Sequence, residues 1–116
     1  MTIENLNATD AIETVKKIYA ALNRNDLSTY LSFFDAKVDR FESFGSRGQG
    51  LAELQANFSQ GRDKWAEGSC EPEKFTVVNN KVTAFVHVKV RLKDKSDWID
   101  GKVIDVFTFH GAKVTE

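Results

Sequence analysis

The run KVTAFVHVKVRLK, residues 81–93, constrains this chain more than any other stretch. Val82, Ala84, Val86, Val88, Val90 and Leu92 share one face of an extended segment. Thr83, Phe85, His87, Lys89, Arg91 and Lys93 share the other. Alternation sustained over that length predicts a long strand with one apolar face that something must cover. EKFTVV (73–78) precedes it across Asn79-Asn80, a tight hairpin signal. KDKSD (93–97) is a polar turn, and WIDGKVIDVFTF (98–109) runs back from it. HGAK, with His110, forms a further turn before KVTE. The second half of the chain therefore reads as an antiparallel meander.

The first half supplies the cover. From Ala11 to about Asn23, Ile12, Val15, Ile18, Tyr19 and Leu22 form a helical stripe. Thr9 or Asp10 is the expected cap, with Glu13 completing a capping box with Asp10. RND breaks the pattern. Asp26 then caps a short helix, LSTYLSFF, with Leu27, Tyr30, Leu31 and Phe34 inward. KVDRFESF predicts a strand from Lys37 to Phe44, and GSRGQG a loop. A third helix is expected from Leu51 to Ala66, aligning Leu51, Leu54, Phe58 and Trp65, with Gly61 weakening it and Gly68 ending it. Helices first and a meander after predict an α+β fold in a single domain, 1–116.

Composition narrows the function classes. The net charge is −1, so no electrostatic case exists for nucleic acid or acidic lipid. No apolar run approaches membrane-spanning length. The N-terminus lacks a basic region followed by an apolar stretch, so no secretory leader is expected. The single cysteine, Cys70, has no internal partner and no zinc-type spacing around it. These features suit a cytoplasmic protein with no metal and no cofactor. Nine Phe and two Trp suit a core, with some left to pave a pocket.

One residue sits badly in this pattern. Asp105 shares a strand face with Val103, Phe107 and Phe109. A carboxylate on so apolar a face is costly to ionise unless something pairs with it. Two readings stand: Asp105 lines a pocket, or it pairs structurally across the sheet.

The segments IYAALNRND, FFDAKVDRFES and GKVIDVFTF, in this order of elements, resemble the SnoaL-like branch of the nuclear transport factor 2-like superfamily. The most telling pieces are the AALN-x-x-D turn, the FF-D-A after the second helix and the DVFTF-x-x-G-KV hairpin. The resemblance covers nearly the whole chain. It implies a cone: a curved, mostly antiparallel sheet wrapped around about three helices, with a pocket at the open end. Members include ketosteroid isomerase, polyketide cyclases, limonene epoxide hydrolase and non-catalytic binding or dimerisation modules, so the fold is implied more firmly than any chemistry. Family members continue the last strand past KVTE. Its stop at Glu116 is expected to leave a sheet edge or pocket rim less covered.

The resemblance also assigns roles. IDVFTF matches the segment in which the isomerase keeps a protonated oxyanion-hole acid, which falls on Asp105. Its general base lies near the end of the first strand; counting back from Gly45 gives Glu42, and counting forward from Val38 gives Arg40. Glu42 and Arg40 share a strand face, where an arginine would keep the carboxylate charged. The isomerase tyrosine aligns with Ile18, leaving Tyr19 about 100° away around the helix and off aim. Steroid isomerisation is therefore not expected. An analogue of the epoxide-hydrolase Asp–Arg–Asp set would be Glu42, Arg40 and Asp105.

The candidate catalytic set is thus Asp105, Glu42 and Arg40. Tyr19, Tyr30, Phe58, Trp65, Val88, Phe107 and Phe109 are the expected lining for a small apolar ligand, with Arg62 and Trp65 closing the mouth. His87 falls on the outer face by parity and is not expected to be catalytic. The apolar outer face, with Phe85, Ile104, Val106 and Thr108, invites a homodimer. A non-catalytic ligand-binding or dimerisation module with a filled cone is the competing expectation.

Overall fold

The computed structural model describes residues 8–35, 38, 41–43, 46–48, 50–111 and 113–115, with the backbone alone for 41–43 and 46–48. Helix α1 spans Ala8–Asn23, α2 Leu27–Ser32 and α3 Gly50–Arg62. Strands β1 (Phe41–Ser43) and β2 (Ser46–Gly48) form a small hairpin. Strands β3 (Trp65–Val78), β4 (Lys81–Leu92), β5 (Trp98–His110) and β6 (Lys113–Val114) form an antiparallel sheet in that order. The α+β class and the curved sheet packed on three helices are as expected.

The β4 alternation organises the core. Val82, Ala84, Val86 and Val90 are buried at 4% exposure or less, beneath α1, which packs on β3 and β4. Fully burying such a valine contributes roughly 1.5–3 kcal/mol. The other face carries Phe85, His87, Lys89 and Arg91, as parity requires. Two irregularities bend β3 over the helices: the register skips Ala66, between Trp65 and Glu67, and Glu73, between Pro72 and Lys74. An extra residue in one strand increases its twist and bends it. That bend turns a flat meander into a concave sheet.

α1 ends as a Schellman motif. Asn25 takes φ +58°, its N–H reaches the Leu22 carbonyl at 3.1 Å, and the Asp26 N–H reaches the Ala21 carbonyl at 2.8 Å. Arg62 then donates to the Leu22 and Asn23 carbonyls, both at 2.9 Å, satisfying helix-end acceptors. Asp26 also caps α2, accepting from the Thr29 N–H at 3.2 Å. The Thr29 side chain first, and then this backbone bond, hold its carboxyl below the usual range. At the β3 edge, the Asn23 amide accepts from the Cys70 N–H at 2.8 Å and donates to the Cys70 carbonyl at 2.9 Å. Two residues on, Pro72 has no N–H to leave unpaired.

Several boundaries differ from expectation. α1 begins at Ala8, so Thr9 and Asp10 lie inside its first turn rather than capping it. α2 stops at Ser32 with Phe33 as its C-cap, because Phe34 bridges to Val114 instead. Ser46–Gly48 is a strand within the expected loop, because it pairs with Phe41–Ser43. Of the strand expected from Lys37 to Phe44, residues 37, 39, 40 and 44 lie outside the described residues. α3 ends at Arg62, and Trp65 belongs to β3, because its backbone pairs with Leu92. Gly68 is likewise a strand residue, and His110 ends β5 rather than sitting in the turn.

Gly68 and Gly101 make opposite predictions. Gly68 has φ +128°, and a Cβ there would lie 2.3 Å from the Lys89 carbonyl oxygen. A Cβ on Gly101 would meet nothing within 4 Å. Gly68→Ala should cost about 3 kcal/mol or more, and Gly101→Ala should stay within about 1 kcal/mol of wild type. Urea denaturation of both variants checks the pair; equal midpoints would contradict the close approach at Gly68.

Candidate functional site

A polar contact joins α1 to β5: the Tyr19 hydroxyl donates a hydrogen bond to Asp105 Oδ2. Tyr19 belongs to the stripe with Val15, Ile18 and Leu22, all buried. Asp105 reaches the same interior through the pleat, in the cross-strand row of Phe75 and Ala84. Phe107 meets the Tyr19 ring edge-on, with centroids 6.0 Å apart and planes at 87°. That contact holds the ring in a favourable aromatic geometry.

The tyrosine thus arrives from a different position than the resemblance implies. Ile18 is packed at 2% exposure, and Tyr19, not Ile18, faces Asp105. The expectation that Tyr19 is off aim is corrected. With β3 bent over α1, a side chain one position further around the helix reaches the far strand.

Burial, and then the charge of Asp105 and the bond to it, push the Tyr19 hydroxyl well above the ordinary phenol range. The free thiol of Cys70, itself buried, is pushed up to about 11 by burial and then by the charges of Asp105 and Glu71. Both groups keep their protons near neutrality. Tyr19 is therefore a standing donor, and it engages one oxygen of Asp105. A carboxylate held in this way has capacity to accept a proton, orient a water or anchor a donor group.

The other candidates fall into four groups. Phe107 and Val88 are partly exposed on the inner face. Tyr30, Phe58 and Phe109 are core residues; the Tyr30 ring lies 5.1 Å from Phe34 and 4.6 Å from Phe58. Trp65, 7% exposed, lies under the Arg62 guanidinium at 4.5 Å, so this pair closes the end of α1. Arg40 lies outside the described residues. Glu42 is placed by its backbone alone, opposite Arg47 in β1.

His87 is on the outer face, 2.6 Å from Asp100, and that bond is the main cause holding the Asp100 carboxyl below its usual range. Among the described residues no cluster of three His, Cys, Asp or Glu is placed to hold a metal ion. Among the described residues no helix is long and apolar enough to cross a membrane.

An open groove of about 430 Å³ runs between α1 and the β3 edge, lined by Lys16, Tyr19, Ala20, Asn23, Glu71 and Pro72. Tyr19 lines it and Asp105 does not. Sequence reasoning missed two polar residues. Asn23 follows the apolar stripe of α1 and binds the β3 edge. Asn57, three residues after the buried Leu54 on α3, has a buried Nδ2 with no hydrogen-bond partner among the described residues. Helical spacing from Leu54 was the signal available for Asn57.

This cone with a tyrosine–aspartate contact has a family. The SnoaL-like domain model matches residues 15–116, and the chain belongs to that family. No curated protein matches it. Among solved structures, an uncharacterised cystatin-fold protein from Novosphingobium aromaticivorans is 23% identical, with TM-score 0.77, covering 90% of this chain and 92% of that one. An NTF2-like protein from Burkholderia pseudomallei is 19% identical, with TM-score 0.80 and coverage of 91% and 86%. An LEH-like epoxide hydrolase from M. tuberculosis is 17% identical, with TM-score 0.76 and coverage of 92% and 78%. At these identities the likeness is one of fold.

The buried hydroxyl and thiol predict an alkaline limb of instability. Unfolded, Cys70 and Tyr19 lose protons near their ordinary values of 9.0 and 10.0, while folding holds both protons on. Stability is therefore complete below about pH 9 and falls as the pH rises. Tyr19→Phe should flatten the limb above about pH 10, by at most about 1.4 kcal/mol per pH unit. Urea midpoints across the alkaline range check this. An identical limb in Tyr19→Phe would contradict a buried hydroxyl.

Proposed function

We propose that this SnoaL-like chain binds a small, largely apolar molecule inside its cone, with the polar end of that molecule on Asp105. The Tyr19–Asp105 hydrogen bond carries the reading. It is a polar contact set in an apolar interior, and it fixes the carboxylate while leaving capacity to accept from a ligand. The same geometry suits proton abstraction or water activation, that is, isomerase- or hydrolase-type chemistry. Glu42 is then the second carboxylate and Arg40 its charge partner. The epoxide-hydrolase relative supports the hydrolase side of this reading. The single thiol of Cys70 suits a reducing, cytoplasmic setting.

Native mass spectrometry of the purified protein tests the site. Wild type should carry a small molecule, and Asp105→Asn should lower its occupancy about tenfold or more, the worth of a hydrogen bond to a charged group. If Asp105→Asn and Glu42→Gln both retain ligand and turnover unchanged, the acid–base assignment fails.

The outer face supports a second reading, that two copies pack sheet to sheet. Ile104 is 64% exposed and Val106 53%, with Phe85 opposite Ile104. The pairs His87–Asp100, Arg91–Glu67 and Lys102–Glu73 lie around this strip. An apolar strip bordered by charge suits a self-complementary two-fold contact. Light scattering should give a dimer at micromolar concentration and a monomer for Ile104→Glu. A wild-type monomer at tens of micromolar, roughly, would defeat the idea.

A further inference from the structure

The inner face of β4 has one gap in its cover. Val86 and Val90 are 1% and 4% exposed, yet Val88 between them is only partly buried. Its cross-strand partners are Cys70 on β3 and Gly101 on β5, two small residues. Along the same row of β5, Ile99 is 49% exposed and Val103 43%, and the row continues to Asp105. An exposed apolar row thus runs from Ile99 past Gly101 and Val103 to the carboxylate, with Val88 beside Gly101.

Neither conformation nor packing requires a glycine at this position. Gly101 is absent from the described glycines with positive φ, and a Cβ there would meet nothing within 4 Å. What the residue supplies is open space, and close approach by a ligand is one of the uses of a strand glycine.

We infer that Gly101 is a specificity-determining residue: its missing side chain admits the apolar tail of an elongated ligand over Val88, while a hydroxyl or amine at the other end donates to Asp105. This rests on the proposed binding site. Four residues of strand separate Asp105 from Gly101, roughly 13 Å at about 3.3 Å per residue, so the tail is a linear chain of about ten carbons.

A series of n-alkanols from n-butanol to n-dodecanol tests this by calorimetry or tyrosine fluorescence. Affinity for wild type should rise roughly three- to fourfold per methylene up to n-decanol and then level off. Gly101→Leu should leave n-butanol binding unchanged and abolish the gain beyond n-hexanol. Gly101→Ala serves as the folding control. Asp105→Asn should weaken every alcohol by a similar factor.

If Gly101→Leu binds n-decanol like wild type while Asp105→Asn binds every alcohol weakly, the tail path is wrong and the carboxylate site stands. If Asp105→Asn changes nothing, the site itself is wrong. If no alcohol binds and Gly101→Leu instead splits a dimer, the exposed row is an interface and the inference is overturned.

Discussion

Everything in this molecule follows from covering one row of side chains. Val82, Ala84, Val86 and Val90 present an apolar face that a four-stranded sheet cannot bury by itself. α1 supplies the cover, and its attachments serve that purpose. Arg62 ties off its last carbonyls, Asn23 fastens it to the β3 edge, and Tyr19 reaches across to β5. Two irregularities in β3 supply the bend that makes such a cover possible. The candidate site is a by-product of this arrangement: the cover ends before the sheet does, and Asp105 stands at that limit.

Much of this was legible because it depends on period. The two-residue repeat of β4 assigned its faces correctly, including the outward placement of His87. Asp26 was readable as a cap because a short acceptor side chain stood between two helical patterns. Asp105 was conspicuous because a carboxylate interrupted an apolar row.

What was not legible depends on tertiary geometry. The aim of Tyr19 is set by where α1 crosses a bent sheet, and counting around an isolated helix cannot supply that crossing. Trp65 fitted the helical stripe of α3, but pairing with Leu92 captured it for β3, a case of long-range hydrogen bonding overriding local periodicity. The pairing of Ser46–Gly48 was hidden because glycine content reads as loop whether or not the backbone finds a partner.

The Asn23 amide has a consequence for the protein among its own kind. It occupies both backbone groups of Cys70 at the free margin of β3, and Pro72 next offers no donor there. The opposite margin is β6, only two residues long. A further strand arriving beside Cys70 and Pro72 finds little to template on. That stretch of the β3 rim is thereby blunted against the edge-to-edge pairing from which fibre-like growth begins.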